Sequence, residues 1–402
     1  MRACIDKSSL GTPKSLVIDE DGSLEWSDNE GCDVCLFGST RENCVPLEDL
    51  AKIRGISLEG LDIPDPAQSR AFSSLGVDLD SVPWFLAMGR DHFSQRVSRI
   101  SSAVHNITSD QHINQYLHVY RQCRDFLSRL SRPHINIDAL RQFASECESG
   151  LSVLKSIKSF TPGPDGLAPH VVYDQAGTAT GRLTVKEGPS ILTLPKSYRS
   201  VIRSPRGGTV WEVDYVSLEP RFVMHVMDRE PPQDIYEDIR QSVFRGEIER
   251  SAVKTATISA LYGSSADLVS ELTGAGSSAR SIIRRVKEYF RADELGDRLT
   301  VEASRGILHN YYGRPLPDMT RGVKAPKLVS YYVQSSCVDT ALLGFSKLCE
   351  QMKSLDARPI YVIHDAVLID VPPGAEKVFL DLCSLGIDLD VGHFELKAGK
   401  IS

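Results

Sequence analysis

Residues Tyr361-Val-Ile-His-Asp-Ala-Val-Leu-Ile369 constrain the fold more than any other stretch of the 402-residue chain. Apart from His364-Asp365 the run is apolar and dominated by strand-favouring side chains. Two such runs around a polar pair read as buried strands joined by a tight turn, which places Asp365 at or near a hairpin apex. A second apolar run, Thr209–Val213, reads as a strand ending on Asp214. Carboxylates on the ends of neighbouring strands could hold two divalent ions a few ångströms apart, and oxygen ligands suit Mg²⁺, with Mn²⁺ able to substitute. Such a pair can activate an attacking hydroxyl and stabilise the leaving oxygen of a phosphoryl transfer. Either aspartate alone reads as a turn or strand-end residue; the pair carries the chemistry.

The segment Arg250-Ser-Ala-Val-Lys-Thr-Ala-Thr-Ile-Ser-Ala-Leu-Tyr-Gly263 adds a binding surface. Arg250, Lys254, Ile258 and Tyr262 are each four apart, so on a helix they line one face. Two cations running into an apolar side chain and a ring suit a nucleotide, with its triphosphate at one end and its base and sugar at the other. A solvated helix with an ordinary core stripe would set cations and apolar groups on opposite faces instead.

Composition bounds the remainder. The chain is 41% hydrophobic and 25% charged, with no apolar run long enough to span a membrane, and its start lacks the pattern of a secretory or organelle signal. Nine cysteines, an odd number spread thinly, favour a reducing compartment over a disulfide framework. The expectation is a protein of a reducing compartment such as the cytoplasm. Cys4, Cys32, Cys35 and Cys44 contain one Cys-x-x-Cys, but their spacing is irregular, and buried thiols are favoured over a zinc site. The net charge of −7 is uneven: residues 1–90 hold 8 basic and 16 acidic side chains, the rest 38 and 37. Basic clusters at Arg121–Arg132, Arg199–Arg206 and Arg280–Arg291 are each compatible with solvated helix faces and, together, with a polyanion partner. The region from about 85 to 157 has helical periodicity, Thr161-Pro-Gly-Pro-Asp-Gly166 breaks it, and Ile63-Pro-Asp-Pro66 reads as a linker.

These residues resemble the family A DNA polymerases, the bacterial DNA polymerase I type. Asp214–Arg221 is similar to motif A, Arg250–Gly263 to motif B and Ile363-His364-Asp365 to motif C. Thr178-Ala-Thr-Gly-Arg-Leu183 resembles the TATGRL signature, and Gly313-Arg314 and Gln334-Ser-Ser-Cys-Val-Asp339 resemble two further blocks. Six blocks in order, over about residues 150–402, are specific where a lone His-Asp would not be.

The resemblance implies an α/β (α+β) right-hand polymerase: an acidic region of unknown role at 1–85, thumb 86–164, palm 165–230 and 321–402, fingers 231–320. Asp214 and Asp365, with the Tyr215 carbonyl, would hold two Mg²⁺ ions. Arg250 and Lys254 would bind the triphosphate, with Lys254 protonating the pyrophosphate. Ile258, Tyr236 and Tyr262 would complete the nucleotide pocket, and Glu219, packed on Tyr262, would exclude a 2′-hydroxyl. Arg182, Gln334, His364 and Arg314 would contact DNA. The implied partners are primer–template DNA and deoxynucleotides, with a separate exonuclease or processivity subunit able to dock on the acidic region; no nuclease activity is expected in this chain, and Asp19-Glu-Asp21 reads as a hairpin turn. The sequence departs from the family at Ile258 (an aromatic), Tyr236 (a histidine), Ala366 (a second carboxylate) and Ser190–Pro195 (an asparagine-glutamine block). A single-subunit RNA polymerase-like enzyme and a degenerate scaffold subunit are the alternatives; Glu219 and the TATGRL block oppose the first, and intact Asp214, Lys254 and Asp365 the second.

Overall fold

The computed structural model describes the chain except residues 20, 28–30, 37–43, 59–65, 78–81, 88, 110, 147–149, 275 and 402. Most of the expected linker at 63–66 therefore lies outside the described residues. The chain forms two compact units, Met1–Arg121 with Tyr312–Pro317, and Gln122–Tyr311 with Asp318–Ser402.

In the first unit, β1 (Ala3–Ile5), β2 (Ser15–Ile18), β3 (Leu24–Ser27), β4 (Val34–Leu36) and β5 (Val45–Pro46) form one sheet in the order β3-β2-β1-β4-β5. β1 and β3 run antiparallel to β2, whereas β4 is parallel to both β1 and β5. All residues of β1, β2 and β4 are buried, so these strands read as short continuous apolar runs without alternation. The turn after Ile18, expected as a hairpin, joins β2 to β3, with the Asp19 amide donating to the Ser23 carbonyl at 3.0 Å. Cys4, Cys32, Cys35 and Cys44 converge with Val17 in a single buried cluster. Cys4 and Cys35 are register partners on β1 and β4, and the Cys44 thiol donates to the Cys32 carbonyl at 3.0 Å. Buried together in this way, the four thiols pack as small apolar groups.

The first unit runs on to Arg121. Helix Arg90–Thr108 and the start of helix Gln111–Ser128 belong to it. The Tyr120 hydroxyl donates to Asp49 at 2.8 Å, Arg121 pairs with Asp33 at 2.9 Å, and Ser101 donates to the Gly22 carbonyl. Polar groups from beyond residue 90 thus tie themselves to the N-terminal sheet.

The second unit is built on a four-stranded antiparallel sheet in the order Arg358–Ile363, Ala366–Val371, Thr209–Tyr215, Leu396–Lys400. The two strands flanking His364-Asp365 pair as a hairpin, with Ile363 opposite Ala366, as their apolar runs predict. All six residues of Ala366–Val371 are buried, and each Val, Leu or Ile so placed contributes about 1.5–3 kcal/mol relative to exposure. Strand alternation puts Trp211, Val213 and Tyr215 on one face and Val210, Glu212 and Asp214 on the other. Trp211 packs on Phe379 of helix Glu376–Ser384, and Tyr215 on Phe345 of the 27-residue helix Ala325–Gln351. That long helix comes so close that a Cβ on Gly344 would lie 1.8 Å from the Tyr215 hydroxyl oxygen. Helices Ile235–Ser242, Arg250–Leu261, Ala266–Thr273, Ala279–Phe290 and Ala292–Arg305 follow one another between the first and second of these strands in chain order.

Candidate active site

A cleft of about 360 Å³ in the second unit is lined by residues from five of the six expected blocks, all but Gly313-Arg314. Asp214 reaches it from the Thr209–Tyr215 strand and Asp365 from the hairpin turn. The register explains why they meet. Asp214 pairs with Ala366, and the amide of Tyr215 donates to the Asp365 carbonyl at 3.2 Å, so two residues 151 positions apart in sequence share one end of the sheet. His364 makes the turn at φ 56°, a left-handed conformation that favours glycine, and non-glycine residues held there cluster at functional sites.

Electrostatics marks the same place. The Asp214 carboxyl is pushed up to about 6, first by burial and then by the charges of Asp365 and Glu212, with Lys254 and Lys196 opposing. Its Oδ1 is buried without a hydrogen-bond partner among the described residues. An orphaned, charge-crowded carboxylate oxygen beside a second carboxylate fits a divalent cation, which would supply the missing partner and neutralise the repulsion. The donors present for such an ion are the Asp214 and Asp365 carboxylates and the Tyr215 backbone.

After the strand the chain reverses at Ser217, φ 57°, into helix Leu218–Val226. Arg221, 3% exposed, holds this turn, its Nε donating to the Val216 carbonyl at 2.9 Å and its guanidinium to the Gln233 carbonyl at 2.7 Å and to Glu395 at 3.1 Å. The turn aims Glu219 into the cleft. Burial raises its carboxyl, with the neighbouring Tyr262 phenol and Arg182 opposing the rise, and Arg182 pairs with it at 3.6 Å. Tyr262 lies beside Glu219 but does not line the cleft, and its hydroxyl is buried without a hydrogen-bond partner among the described residues.

Helix Arg250–Leu261 carries the expected stripe. Lys254 and Ile258 line the cleft. Gly263, at φ 80°, ends the segment where a Cβ would meet Pro326 at 2.5 Å, so only glycine fits. Arg250 is turned away from the cleft: it forms a bidentate pair with Asp234 at 3.0 and 2.9 Å and sits over the Tyr236 ring. Tyr236 lines the cleft but is 3% exposed, with its phenol bonded to Ser217.

Arg182, Gln334 and His364 also line the cleft. Arg314 does not. It is 1% exposed in the first unit, donating to the Tyr116 hydroxyl at 3.1 Å and lying 5.7 Å from that ring's centre. A guanidinium with no exposed surface has no face to offer a phosphate, and its aromatic partner gives it a packing role.

Three residues at or near the site were not singled out from the sequence. Glu212, 7% exposed and two residues before Asp214 on the same strand face, is clamped by Lys196 and Arg199. Period-two alternation was the signal that could have found it. Cys337 lines the cleft, its thiol pushed well above the ordinary range by burial and the charges of Glu219 and Asp365. Tyr173 bonds to the hairpin from a distant segment, and no local pattern announces it.

No family model matches the chain. Among curated proteins it is 27% identical to the thermostable DNA polymerase I of Thermus caldophilus, over 52% of this chain and 29% of that protein. Against the Thermus aquaticus enzyme the figures are 25%, 61% and 33%, and against the DNA polymerase I of Deinococcus radiodurans 23%, 50% and 24%. The chain therefore spans about a third or less of the length of these relatives. Among solved structures, the polymerase domain of Pol1 from M. smegmatis, in complex with DNA primer-template and dNTP, superposes with a TM-score of 0.61 at 14% identity, covering 99% of this chain and 94% of that one. In sequence over about half its length and in fold over nearly all of it, the chain is a divergent relative of the bacterial DNA polymerase I proteins, built on the fold of their polymerase domain.

Proposed function

We propose that this chain is a template-directed DNA polymerase that adds deoxynucleotides to a primer 3′ end. The observation that carries this reading is the convergence of Asp214, Asp365 and Lys254 on one cleft that also holds Glu219. In this reading the sheet and the segments 165–230 and 321–402 are the palm, 231–320 the fingers and 86–164 the thumb. Primer–template DNA, deoxynucleotides and two Mg²⁺ ions are the partners, the cytoplasm is the compartment, and the acidic N-terminal region is where a processivity or exonuclease subunit would dock.

Bound at Asp214, Asp365 and the Tyr215 carbonyl, the metals would supply charge neutralisation and a more acidic primer hydroxyl. The chain's own groups do the rest. Lys254 faces the cleft near Asp214, where its ammonium can hold the triphosphate and hand a proton to the departing pyrophosphate oxygen. Arg250 can join it only by exchanging Asp234 for phosphate oxygens, which makes its contribution contingent on a bound nucleotide. Ile258 gives the base an apolar surface without ring stacking. Arg182 and Gln334, at the same wall, would meet acceptors that all correct pairs share in the minor groove. Glu219, desolvated and beside Tyr262, fills the space beside the sugar; a 2′-hydroxyl would have to displace a buried carboxylate.

Extension of a labelled DNA primer with dNTPs against NTPs, with and without Mg²⁺, tests the reading. Metal-dependent extension by dNTPs is expected, abolished in Asp214→Ala. In Glu219→Ala, discrimination against ribonucleotides should fall by about 10²-fold, the scale lost when a selective polar contact is removed. Equal use of NTPs by the unmodified chain would favour the RNA polymerase-like alternative, and extension by Asp214→Ala would refute the metal assignment.

A further inference from the structure

The strand Arg358–Ile363 is the outer strand of its sheet, so one row of its backbone groups faces away from its neighbour. At Val362 that row is filled by a side chain. The Tyr173 hydroxyl donates to the Val362 carbonyl at 2.7 Å and accepts from the Val362 amide at 3.0 Å. One phenol thus does what a neighbouring strand would do, two residues before His364 and three before Asp365. Burial raises the phenol's pKa far above its ordinary value, so it remains protonated and able to donate. Tyr173 lies on strand Val172–Asp174, which pairs with Thr184–Glu187, and Arg182 sits in the connection between them. The same segment therefore carries a cleft residue at one end and grips the catalytic hairpin at the other.

We propose that Tyr173 is a positioning residue for the hairpin that presents Asp365, fixing its height against the Thr209–Tyr215 strand and linking it to the Arg182 segment. The inference rests on the polymerase reading above. Its physical basis is that the hairpin ends in a two-residue turn with His364 in a left-handed conformation, so the tip has little local preference of its own. Its placement must come from the strand stems, and among the described residues the Val362 contact is the last on the outer edge before the turn. Displacing a reacting group by about 1 Å can cost up to about 10²-fold in rate.

Tyr173→Phe removes both hydrogen bonds and keeps the ring. Tyr361→Phe is the matched control: the Tyr361 hydroxyl is buried on the same strand with no hydrogen-bond partner among the described residues. Steady-state primer extension should show kcat about tenfold lower in Tyr173→Phe with the dNTP KM within twofold, and no change in Tyr361→Phe. Amide exchange at Val362 should quicken in Tyr173→Phe alone, with the melting midpoint within a few degrees of the parent. A parent chain that fails to extend primers sinks the polymerase reading, and the Val362 exchange then still decides whether the contact holds the hairpin. An active parent with kcat unchanged in Tyr173→Phe, equal losses in the two variants, or unaltered Val362 exchange would overturn the positioning role.

Discussion

Asp214 shows how a single side chain can serve chemistry at the expense of the fold. Its carboxyl ionises at about 6 in the metal-free protein against an ordinary 3.8, because burial, Asp365 and Glu212 all oppose its charge. Between those two values the folded chain holds more protons than the unfolded one, so the stability this group contributes falls as pH rises from about 4 to about 6 and stays lost above. Asp214→Asn removes the charge at every pH. It is expected to raise the metal-free melting midpoint by a few degrees at pH 8 and leave it unchanged at pH 4, while abolishing extension. Melts of the two proteins at both pH values check this; equal midpoints at pH 8 would mean the repulsion is relieved in some other way. Glu212, on the same strand face, is held by ion pairs to Lys196 and Arg199.

At the scale of elements, close approach matters more than composition. Helix Ala325–Gln351 lies against Tyr215 at Gly344, with no room for a methyl group. Gly344→Ala should force the two apart, costing about 1–3 kcal/mol as overpacking does, and lower the melting midpoint and kcat together because Tyr215 adjoins Asp214. Thermal melts and single-turnover extension measure both; a variant as active and stable as the parent would show that the helix can shift freely. Local patterns made some elements legible. The hairpin around His364-Asp365 follows from two apolar runs flanking a polar pair, and the stripe of helix Arg250–Leu261 from a spacing of four. The N-terminal sheet as a whole was not legible, because strands of two to four residues leave no periodicity to read. Tyr173 and Val362 lie 189 positions apart, and a contact of that range leaves no mark on either neighbourhood. Arg314 misled because arginine is rarely fully buried, and its aromatic partner Tyr116 comes from a remote helix.

For the whole molecule, the arginine clusters divide into internal and outward groups. Arg129 pairs with Glu350, Arg132 with Asp165, Arg206 with Asp356 and Asp370, Lys287 with Asp293 and Arg291 with Glu294. These cations are spent on the protein's own carboxylates and carbonyls, whereas Arg280 is exposed and Arg284 only weakly engaged with Glu288 at 3.7 Å. In the proposed polymerase, DNA binding by a chain of net charge −7 would draw on such outward residues. The double variant Arg280→Ala/Arg284→Ala should weaken primer–template binding at all sequences and reduce the slope of log K against log salt by about 1–2, since each phosphate contact contributes roughly one. Fluorescence anisotropy from 50 to 200 mM salt reads the slope, and an unchanged value would remove this helix from the interface.

The sulfur atoms packed with Val17 in the N-terminal sheet offer a clock for the first unit. Cys4, Cys32, Cys35 and Cys44 are all buried, so a thiol reagent can reach them only when β1, β2 and β4 come apart. The pace of their alkylation would report how often the first unit opens, whatever the second is doing at the time.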